Sequence, residues 1–258
     1  MTKPQLVLDV AGVLLTNLSP GLWKAAAGAA GISGADVQAR FRAEAREALW
    51  HGRMSEEEFW HWFTGVLPGI DPALLQTALK ANLQPLPALG EVARWSRTAD
   101  VHLLTNHRHE WLEEPLSAIG DTIASLTVSS QAGVCKPDPR IYDRVQSKLP
   151  SAALVIFVDD QDCNLAPARA LGWRTVLADP AARWIAEVDR LLQTAAEARC
   201  PLCGGDNRCG VLRGTAIEDC WCYRTAVPRE LREQVPEELA GKACICEACV
   251  ARHRASRD

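Results

Sequence analysis

The sequence lacks three features that would each assign it to a broad class of proteins. Its longest apolar run, residues 152–158, has seven residues, whereas a helix that crosses a bilayer needs about 20. Lys and Arg number 28 against 32 Asp and Glu, so the basic excess of a general nucleic-acid binder is absent. No stretch is repeated or of low complexity. These absences favour an ordinary globular protein with neither a membrane nor a nucleic acid as its partner.

The N-terminal segment also lacks the pattern of a secretory signal peptide. Asp9 interrupts its apolar stretch, and no small-residue cleavage site follows. We therefore expect a cytoplasmic protein. Its 258 residues suit one large domain, or one domain with a small module, at about 150 residues per domain.

Strand-like and helix-like segments alternate along most of the chain, which predicts a parallel α/β sheet. The apolar strand patterns occupy residues 6–10, 101–105, 125–128, 154–158 and 174–177. The helical patterns after the second strand occupy residues 108–118, 139–148, 164–171 and 181–198. Residues 18–85 have helical patterns throughout, including a capping box formed by Ser55 and Glu58. A helical block that follows the first strand predicts a cap inserted into the α/β domain.

Polar residues follow four of the predicted strands. They are Asp9, Thr105 with Asn106, Lys136, and Asp159 with Asp160. Because ligands bind outside the carboxyl ends of the strands in an open α/β sheet, we expect these residues to meet in one crevice. A carboxylate can attack phosphorus as a nucleophile, and neighbouring carboxylates can hold Mg²⁺. A lysine and a threonine can then stabilise charge on the phosphoryl group.

Each of these residues also has a structural interpretation when taken alone. Asp9 suits a turn at a strand end, Thr105 with Asn106 suits a helix cap, and Lys136 suits a solvated surface charge. The pair Asp159 and Asp160 is harder to explain in this way, because adjacent like charges after an apolar strand are unfavourable without a cation.

Four segments give the chain a resemblance to the haloacid dehalogenase (HAD) superfamily, in the subfamily with a helical cap. They are LVLDVAGVL (6–14), LLTN (103–106), KPDPRIY (136–142) and FVDDQDCN (157–164). The resemblance covers about residues 4–195 and implies a Rossmann-like core with an inserted cap. It implies an aspartate-nucleophile hydrolase, most often a phosphatase, over residues 1–197. The core would comprise residues 1–17 and 86–197, and the cap about residues 18–85.

The resemblance also implies a role for individual residues. Asp9 matches the nucleophile, and Ala11 matches the position whose backbone carbonyl ligates Mg²⁺. Thr105 and Asn106 match the phosphate-binding pair, and Lys136 matches the charge-stabilising lysine. The acidic pair that holds Mg²⁺ with Asp9 corresponds to Asp159 and Asp160.

Ala11 departs from the pattern of many phosphatases that the chain resembles, which carry a second aspartate there as general acid and base. General acid–base help is worth about 10²–10⁴-fold in rate. Its loss implies a slow enzyme, a substrate with a good leaving group, or a substitute acid. The candidate substitutes are the histidines at positions 51, 61, 107 and 109, although a surface or core role is favoured for each. A dehalogenase is disfavoured, because that branch dispenses with Mg²⁺ and this chain keeps its acidic pair.

Eight of the ten cysteines lie in the last quarter of the chain, which predicts a separate module over residues 198–258. They are Cys200, Cys203, Cys209, Cys220, Cys222, Cys244, Cys246 and Cys249. Eight thiolates suit two tetrahedral zinc sites, and the spacing leaves open which cysteines share an ion. Iron–sulfur and redox or disulfide chemistry are the alternatives, with disulfides disfavoured in the cytosol. Such a small module needs cross-links of one kind or another.

The same segment resembles the small cysteine-rich proteins named for their Cys-Trp-Cys signature. The match rests on the CPLCG start, the CWC centre and the CxCxxC end, over about residues 198–252. It implies no particular function. We therefore expect a Mg²⁺-dependent phosphatase for a small phosphate monoester, joined to a structural zinc module. The alternatives are a weakened, HAD-like binding or regulatory protein whose module contacts a protein partner, and a redox or metal sensor.

Overall fold

A five-stranded sheet is the centre of this computed structural model, which describes residues 3–18, 21–67, 69–151 and 153–256. Ala152, where the longest apolar run begins, therefore lies outside the described residues. The strands are β1 (Gln5–Leu8), β2 (Asp100–Thr105), β3 (Ile123–Val128), β4 (Val155–Asp159) and β5 (Arg174–Leu177). All neighbours pair in parallel, in the order β3-β2-β1-β4-β5. The predicted parallel α/β sheet is thus confirmed.

The strand order reverses at β1, which creates a crevice at the carboxyl end of the sheet. The chain first adds β2 and β3 on one side of β1, then β4 and β5 on the other. Leu8 pairs with Val158, and the backbone N–H of Asp9 donates to the Val158 carbonyl at 2.9 Å. Asp9 and Asp159 therefore leave adjacent strands side by side. This is the point at which doubly wound sheets bind their ligands.

Between β1 and β2, residues 21–82 form five helices and one π-helical turn. They are α1 (Gly21–Ala30), α2 (Gly34–Arg40), the π-turn Phe41–Ala45, α3 (Arg46–Trp50), α4 (Glu56–Val66) and α5 (Pro72–Asn82). The predicted capping box begins α4: Ser55 Oγ accepts from the N–H of Glu58, whose carboxylate accepts from the N–H of Ser55. The helices enclose an aromatic core that includes Trp23, Phe41 and Phe63. This block is the expected cap.

Of the next five helices, the first precedes β2 and the others follow β3, β4 and β5. They are α6 (Val92–Trp95), α7 (Ser129–Ala132), α8 (Pro139–Gln146), α9 (Asp162–Ala170) and α10 (Trp184–Glu197). A second apolar core joins the sheet to α8 and α9, with Phe157 of β4 packed against Tyr142 of α8. Because this core fixes β4 and α9 together, it also fixes the polar residues between them.

The helix predicted over residues 108–118 is wrong. Turns occupy this stretch, and a 3₁₀ helix follows at Ser117–Thr122. Pro115 has no N–H to continue a helix and disfavours helical backbone at the residue before it. Side chains hold the irregular segment to the cap instead. Arg108 donates to the carbonyl of Met54 at 2.7 Å, and Trp111 Nε1 donates to Glu56 at 2.8 Å.

The chain divides into two compact units, Lys3–Ile185 and a second that begins at Ala186. The second unit contains most of α10, together with α11 (Arg229–Arg232), α12 (Glu247–Ala255) and several 3₁₀ turns. Its small core combines two cysteines with Leu231, Ile245 and Val250. A domain boundary at residue 197 stays a prediction. Among the described residues, no helix combines the length and the hydropathy needed to cross a membrane.

Candidate functional site

A buried lysine lies between two buried carboxylates at the carboxyl end of the sheet. Lys136 Nζ is 2.9 Å from Asp9 Oδ1 and 2.5 Å from Asp159 Oδ2. At most 6% of each of the three side chains is exposed. Asp9 follows β1, Asp159 ends β4, and Lys136 enters from the loop after α7. Removing three charges from water is unfavourable, so this arrangement persists only because the charges are paired.

Two of these groups, Asp9 and Lys136, have shifted pKa values. Burial raises the pKa of Asp9 to about 7, Lys136 opposes the rise, and the carboxylates of Asp159 and Asp160 add to it. Burial alone would lower the pKa of Lys136, but Asp9 and Asp159 outweigh it and raise that pKa. The lysine therefore stays charged, and a further cation beside Asp9 would favour the ionised carboxylate that a nucleophile requires.

Asp160 supplies a carboxylate oxygen that has no partner within the described residues. Its Oδ1 is buried and makes no hydrogen bond, whereas Oδ2 accepts from Asn17 Nδ2 at 3.1 Å. Carboxylate oxygens of Asp9, Asp159 and Asp160 lie within 4.8 Å of one another. Mg²⁺ is bound in proteins by one or two carboxylates together with substrate oxygens and water. The donor set and the unpartnered oxygen therefore fit this ion.

Thr105, the last residue of β2, and Asn106, which follows it, differ in what their side chains contact. Thr105 Oγ1 is buried and has no partner among the described residues. Asn106 instead forms two hydrogen bonds with the backbone of Lys136: its Oδ1 accepts from the N–H at 2.8 Å, and its Nδ2 donates to the carbonyl at 2.9 Å. The Thr105 hydroxyl is therefore available to a ligand, while the Asn106 side chain positions Lys136.

Sequence reasoning missed two asparagines that orient the acidic pair. Asn164 Nδ2 donates to Asp159 Oδ1 at 2.9 Å, and Asn17 contacts Asp160 as described above. Tyr142 Oη in turn donates to the carbonyl of Asn164 at 2.6 Å. Asn164 closes the FVDDQDCN segment, so its place beside the acidic pair was a usable signal. The loop that brings Asn17 to Asp160 left no such signal.

A cavity of about 630 Å³ opens at these residues and extends to the cap. At the sheet end its lining includes Asp9, Ala11, Thr105, Lys136 and Asp160. The cap contributes Trp23, Gln38, Phe41, Arg42, Arg46, Leu49, Trp50 and Phe59. The cavity is therefore polar at the sheet end, aromatic along the cap wall, and bounded by two arginines.

Of the four histidines singled out in the sequence, only His107 lines this cavity in the described chain. It is 1% exposed, and its ring lies 5.5 Å from that of Trp50 and 5.7 Å from that of Trp111. Nδ1 lies 3.2 Å from the Arg108 carbonyl, which assigns the proton to Nδ1 and leaves buried Nε2 as an unpartnered acceptor. Burial lowers the pKa of His107 to about 4, so it is neutral at pH 7.

The other three histidines lie elsewhere. His51 Nδ1 is 3.6 Å from Cys135 Sγ, His61 is exposed on α4, and His109 Nε2 lies 3.6 Å from Glu113. Each therefore has a surface or local structural role here, as the sequence favoured.

Four cysteines of the second unit form a compact cluster. The sulfurs of Cys200, Cys203, Cys246 and Cys249 all lie within 4.8 Å of one another. Cys200 is 4.0 Å from Cys249, and Cys203 is 3.6 Å from Cys246. Zn–S bonds of about 2.3 Å in a tetrahedron place sulfurs roughly 3.8 Å apart. The first and last cysteine pairs of the module thus fit one tetrahedral ion.

Two of the other four cysteines have their sulfurs in contact. Cys220 Sγ is 3.3 Å from Cys222 Sγ and accepts from the backbone N–H of Gly210 at 3.3 Å. Burial raises the pKa of the Cys244 thiol to about 12, with further contributions from Cys222 and Cys209 beside it. In sequence, Cys209, Cys220, Cys222 and Cys244 lie between the two cysteine pairs of the compact cluster.

Comparison with solved structures identifies the fold of the first unit. A HAD family enzyme from Bacteroides thetaiotaomicron matches with a TM-score of 0.63 at 16% identity, over 73% of this chain and 99% of that one. A HAD-like family hydrolase from Porphyromonas gingivalis matches with a TM-score of 0.60 at 22% identity, over 74% of this chain and 98% of that one. The first unit therefore has the HAD-family fold, a Rossmann-like core with a helical cap.

Two further comparisons concern ligands and the second unit. The Bacteroides enzyme has also been solved in complex with magnesium and inorganic phosphate, and in that form it matches with a TM-score of 0.60 at 18% identity, over 70% of this chain and 97% of that one. A family model described as cysteine-rich CWC matches residues 200–251. The chain thus carries a cysteine-rich CWC segment after a HAD-type fold. No curated protein matches the chain significantly.

Proposed function

We propose that this protein is a Mg²⁺-dependent hydrolase of small phosphate monoesters, with Asp9 as its nucleophile. The main support is that Lys136 is buried between Asp9 and Asp159, where the strand order of the sheet reverses. Asp160 adds a carboxylate oxygen beside them that has no partner among the described residues. Asp9, Asp160 and the Ala11 carbonyl would hold Mg²⁺, with Asp159 beside them. Bound there, the ion would offset the charge repulsion between a phosphate dianion and Asp9.

The reaction runs in two steps. A carboxylate oxygen of Asp9 attacks phosphorus, the ester P–O bond breaks, and the alcohol leaves with the bonding electron pair and takes a proton from water. Water then attacks phosphorus of the aspartyl-phosphate, which releases inorganic phosphate and restores Asp9. Lys136 and the Thr105 hydroxyl stabilise charge on the phosphoryl oxygens in both steps. Asn106 acts through Lys136, whose backbone it holds.

Ala11 determines which substrates can react quickly. Its methyl group can neither protonate the departing oxygen nor activate water. His107 does not replace an acid, because a histidine with a pKa of about 4 is unprotonated at pH 7. The enzyme is therefore expected to prefer esters of acidic alcohols, which leave without protonation.

The test is Mg²⁺-dependent hydrolysis of an activated aryl phosphate by wild type and Asp9→Asn. Mg²⁺ is removed by dialysis and titrated back, without a chelator that would also strip zinc. Asp143→Asn, at an exposed position on α8, is the matched control. We expect turnover in wild type and Asp143→Asn, and none in Asp9→Asn. Equal rates in wild type and folded Asp9→Asn would refute the mechanism, and no turnover in wild type would favour the ligand-binding alternative.

We further propose that the module binds two structural zinc ions. Cys200, Cys203, Cys246 and Cys249 would hold one, and the other would be held by Cys209, Cys220, Cys222 and Cys244. Both sets consist of four thiols without an open position for water, which suits a structural role. Eight cysteines outside disulfides persist in a reducing compartment, so we place the protein in the cytoplasm.

Zinc content measured on freshly reduced protein tests this assignment. Two equivalents are expected in wild type and in Cys163→Ser, whose cysteine lies outside the module. Cys203→Ser and Cys222→Ser should each lose about one equivalent, and the double variant about two. Bound iron, or no metal in the reduced protein, would favour the iron–sulfur or redox alternatives.

A further inference from the structure

The cap end of the cavity carries two arginines that have no side-chain partner among the described residues. Arg42 lies in the π-turn and Arg46 begins α3, and both line the cavity. A spacing of four residues places them on one side of the helical segment. Neither forms an ion pair or a side-chain hydrogen bond with any other residue of the described chain.

Other arginines of the same segment do have acidic partners. Arg40 Nε lies 3.0 Å from Glu44, and Arg53 Nη2 lies 2.6 Å from Glu47. The two arginines that line the cavity are thus the ones left unpaired. Like charges four residues apart destabilise a helix slightly. An anion bound between the two arginines would remove this repulsion.

Nothing else in the described cavity wall balances this charge. The acids in its lining are Asp9 and Asp160, which belong to the proposed Mg²⁺ site. Lys136, the remaining cation, is already paired with Asp9 and Asp159. The cavity therefore has two carboxylates at one end and two arginines at the other, with the rings of Phe41, Trp50 and Phe59 along its wall.

We propose that the substrate is a phosphate monoester whose alcohol portion carries a second anionic group, which Arg42 and Arg46 bind. This inference rests on the proposed function, since it assigns the transferred phosphate to Asp9. Guanidinium groups bind carboxylates and phosphates through paired, charge-assisted hydrogen bonds. The aromatic rings along the cavity wall suit a substrate with an apolar or planar portion between its two anionic groups.

Two matched esters test the proposal: 4-(carboxymethyl)phenyl phosphate and its neutral amide, 4-(carbamoylmethyl)phenyl phosphate. A methylene group insulates the phenol from the substituent, so the leaving groups are closely similar and the esters differ mainly in charge. We expect wild type to have a kcat/KM at least about tenfold higher for the carboxylate, a ratio typical of one charge-assisted hydrogen bond. The preference should decrease with added NaCl, because both arginines are exposed.

Arg42→Gln and Arg46→Gln should each lower the ratio of the two kcat/KM values, and the double variant should bring it near one. Arg40→Gln and Arg53→Gln are the controls, since their arginines are paired with Glu44 and Glu47 outside the cavity lining. Binding of both esters to Asp9→Asn with Mg²⁺, measured by calorimetry, gives the same comparison without turnover.

The outcomes separate this inference from the proposed function. If wild type hydrolyses both esters equally, or the preference survives in the double variant, the anion site is refuted and the phosphatase stands. If neither ester is hydrolysed but Asp9→Asn still binds the carboxylate more tightly through the two arginines, the phosphatase is refuted and the anion site stands. Equal binding together with no hydrolysis refutes both.

Discussion

The Lys136 ammonium lies 2.9 Å from a carboxylate oxygen of Asp9, and both side chains are buried. A lysine in contact with the attacking carboxylate opposes the rise in its pKa that burial causes, and it also places positive charge where phosphoryl oxygens would lie. The same ammonium contacts Asp159, so one cation serves two carboxylates. The two carboxylates therefore carry more negative charge than the single lysine neutralises. A divalent cation would supply the positive charge that balances them.

Lys136→Met is expected to destabilise the first unit by about 3–5 kcal/mol, because two buried carboxylates would lose their counter-ion. Urea denaturation measures the free energy of unfolding. Lys24→Met, at an exposed position on α1, is the control and should change it little. A stability equal to that of wild type would show that the ion pairs are not formed in solution.

Gly12→Ala is expected to weaken Mg²⁺ binding. A Cβ at position 12 would lie 2.3 Å from Asp160 Oδ2, so the carboxylate would have to move. Gly172 also has a positive φ, but its Cβ would meet nothing within 4 Å, so Gly172→Ala reproduces the backbone strain alone.

The Mg²⁺ concentration for half-maximal activity should rise at least about tenfold in Gly12→Ala, the factor that a loss of roughly 1.4 kcal/mol in binding gives. It should stay unchanged in Gly172→Ala. A similar shift in both variants would assign the effect to strain rather than to Asp160.

His107 is expected to make the first unit less stable as the pH falls. Its folded pKa of about 4 lies below the ordinary 6.5, so only the unfolded chain takes up the proton between these values. The contribution of His107 to the free energy of unfolding is complete above pH 6.5. Below pH 6.5 it decreases by at most about 1.4 kcal/mol for each unit of pH.

Unfolding free energies of wild type and His107→Gln at pH 7, 6 and 5 measure this effect. The wild-type value should fall more steeply than the variant value, whose slope reports the other groups. Parallel slopes would mean that His107 titrates normally and is open to water.

Ala11→Asp is expected to accelerate hydrolysis of alkyl phosphates, whose alcohols leave poorly without a proton. The gain has an upper limit of about 10²–10⁴-fold, and it should be smaller for activated aryl esters. Ala11→Asn has a similar size but no titratable proton. If Ala11→Asp and Ala11→Asn both accelerate the reaction, or neither does, the lack of an acid at position 11 does not limit the rate.

Strand patterns and strand ends could be predicted because they depend on short-range information. An apolar run such as Val155–Val158 reads as a buried strand, and a charged pair directly after it has to lie at the strand's carboxyl end. The prediction failed over residues 108–118, where Arg108 and Trp111 hydrogen-bond to the cap and Pro115 interrupts the backbone pattern. Those bonds join residues more than 50 positions apart, which no local pattern records.

The sequence by itself determined the α/β class, the inserted cap, the acidic and basic residues at the strand ends, and the cysteine-rich segment. Each of these depends on periodicity, spacing or a short motif. Only the tertiary structure decided that Asn106 holds Lys136, that His107 is buried and neutral, that Cys200, Cys203, Cys246 and Cys249 form one cluster, and that Arg42 and Arg46 face a cavity. These properties arise from contacts between distant segments, because packing, and not local sequence, determines which charges are paired and which remain available to a ligand.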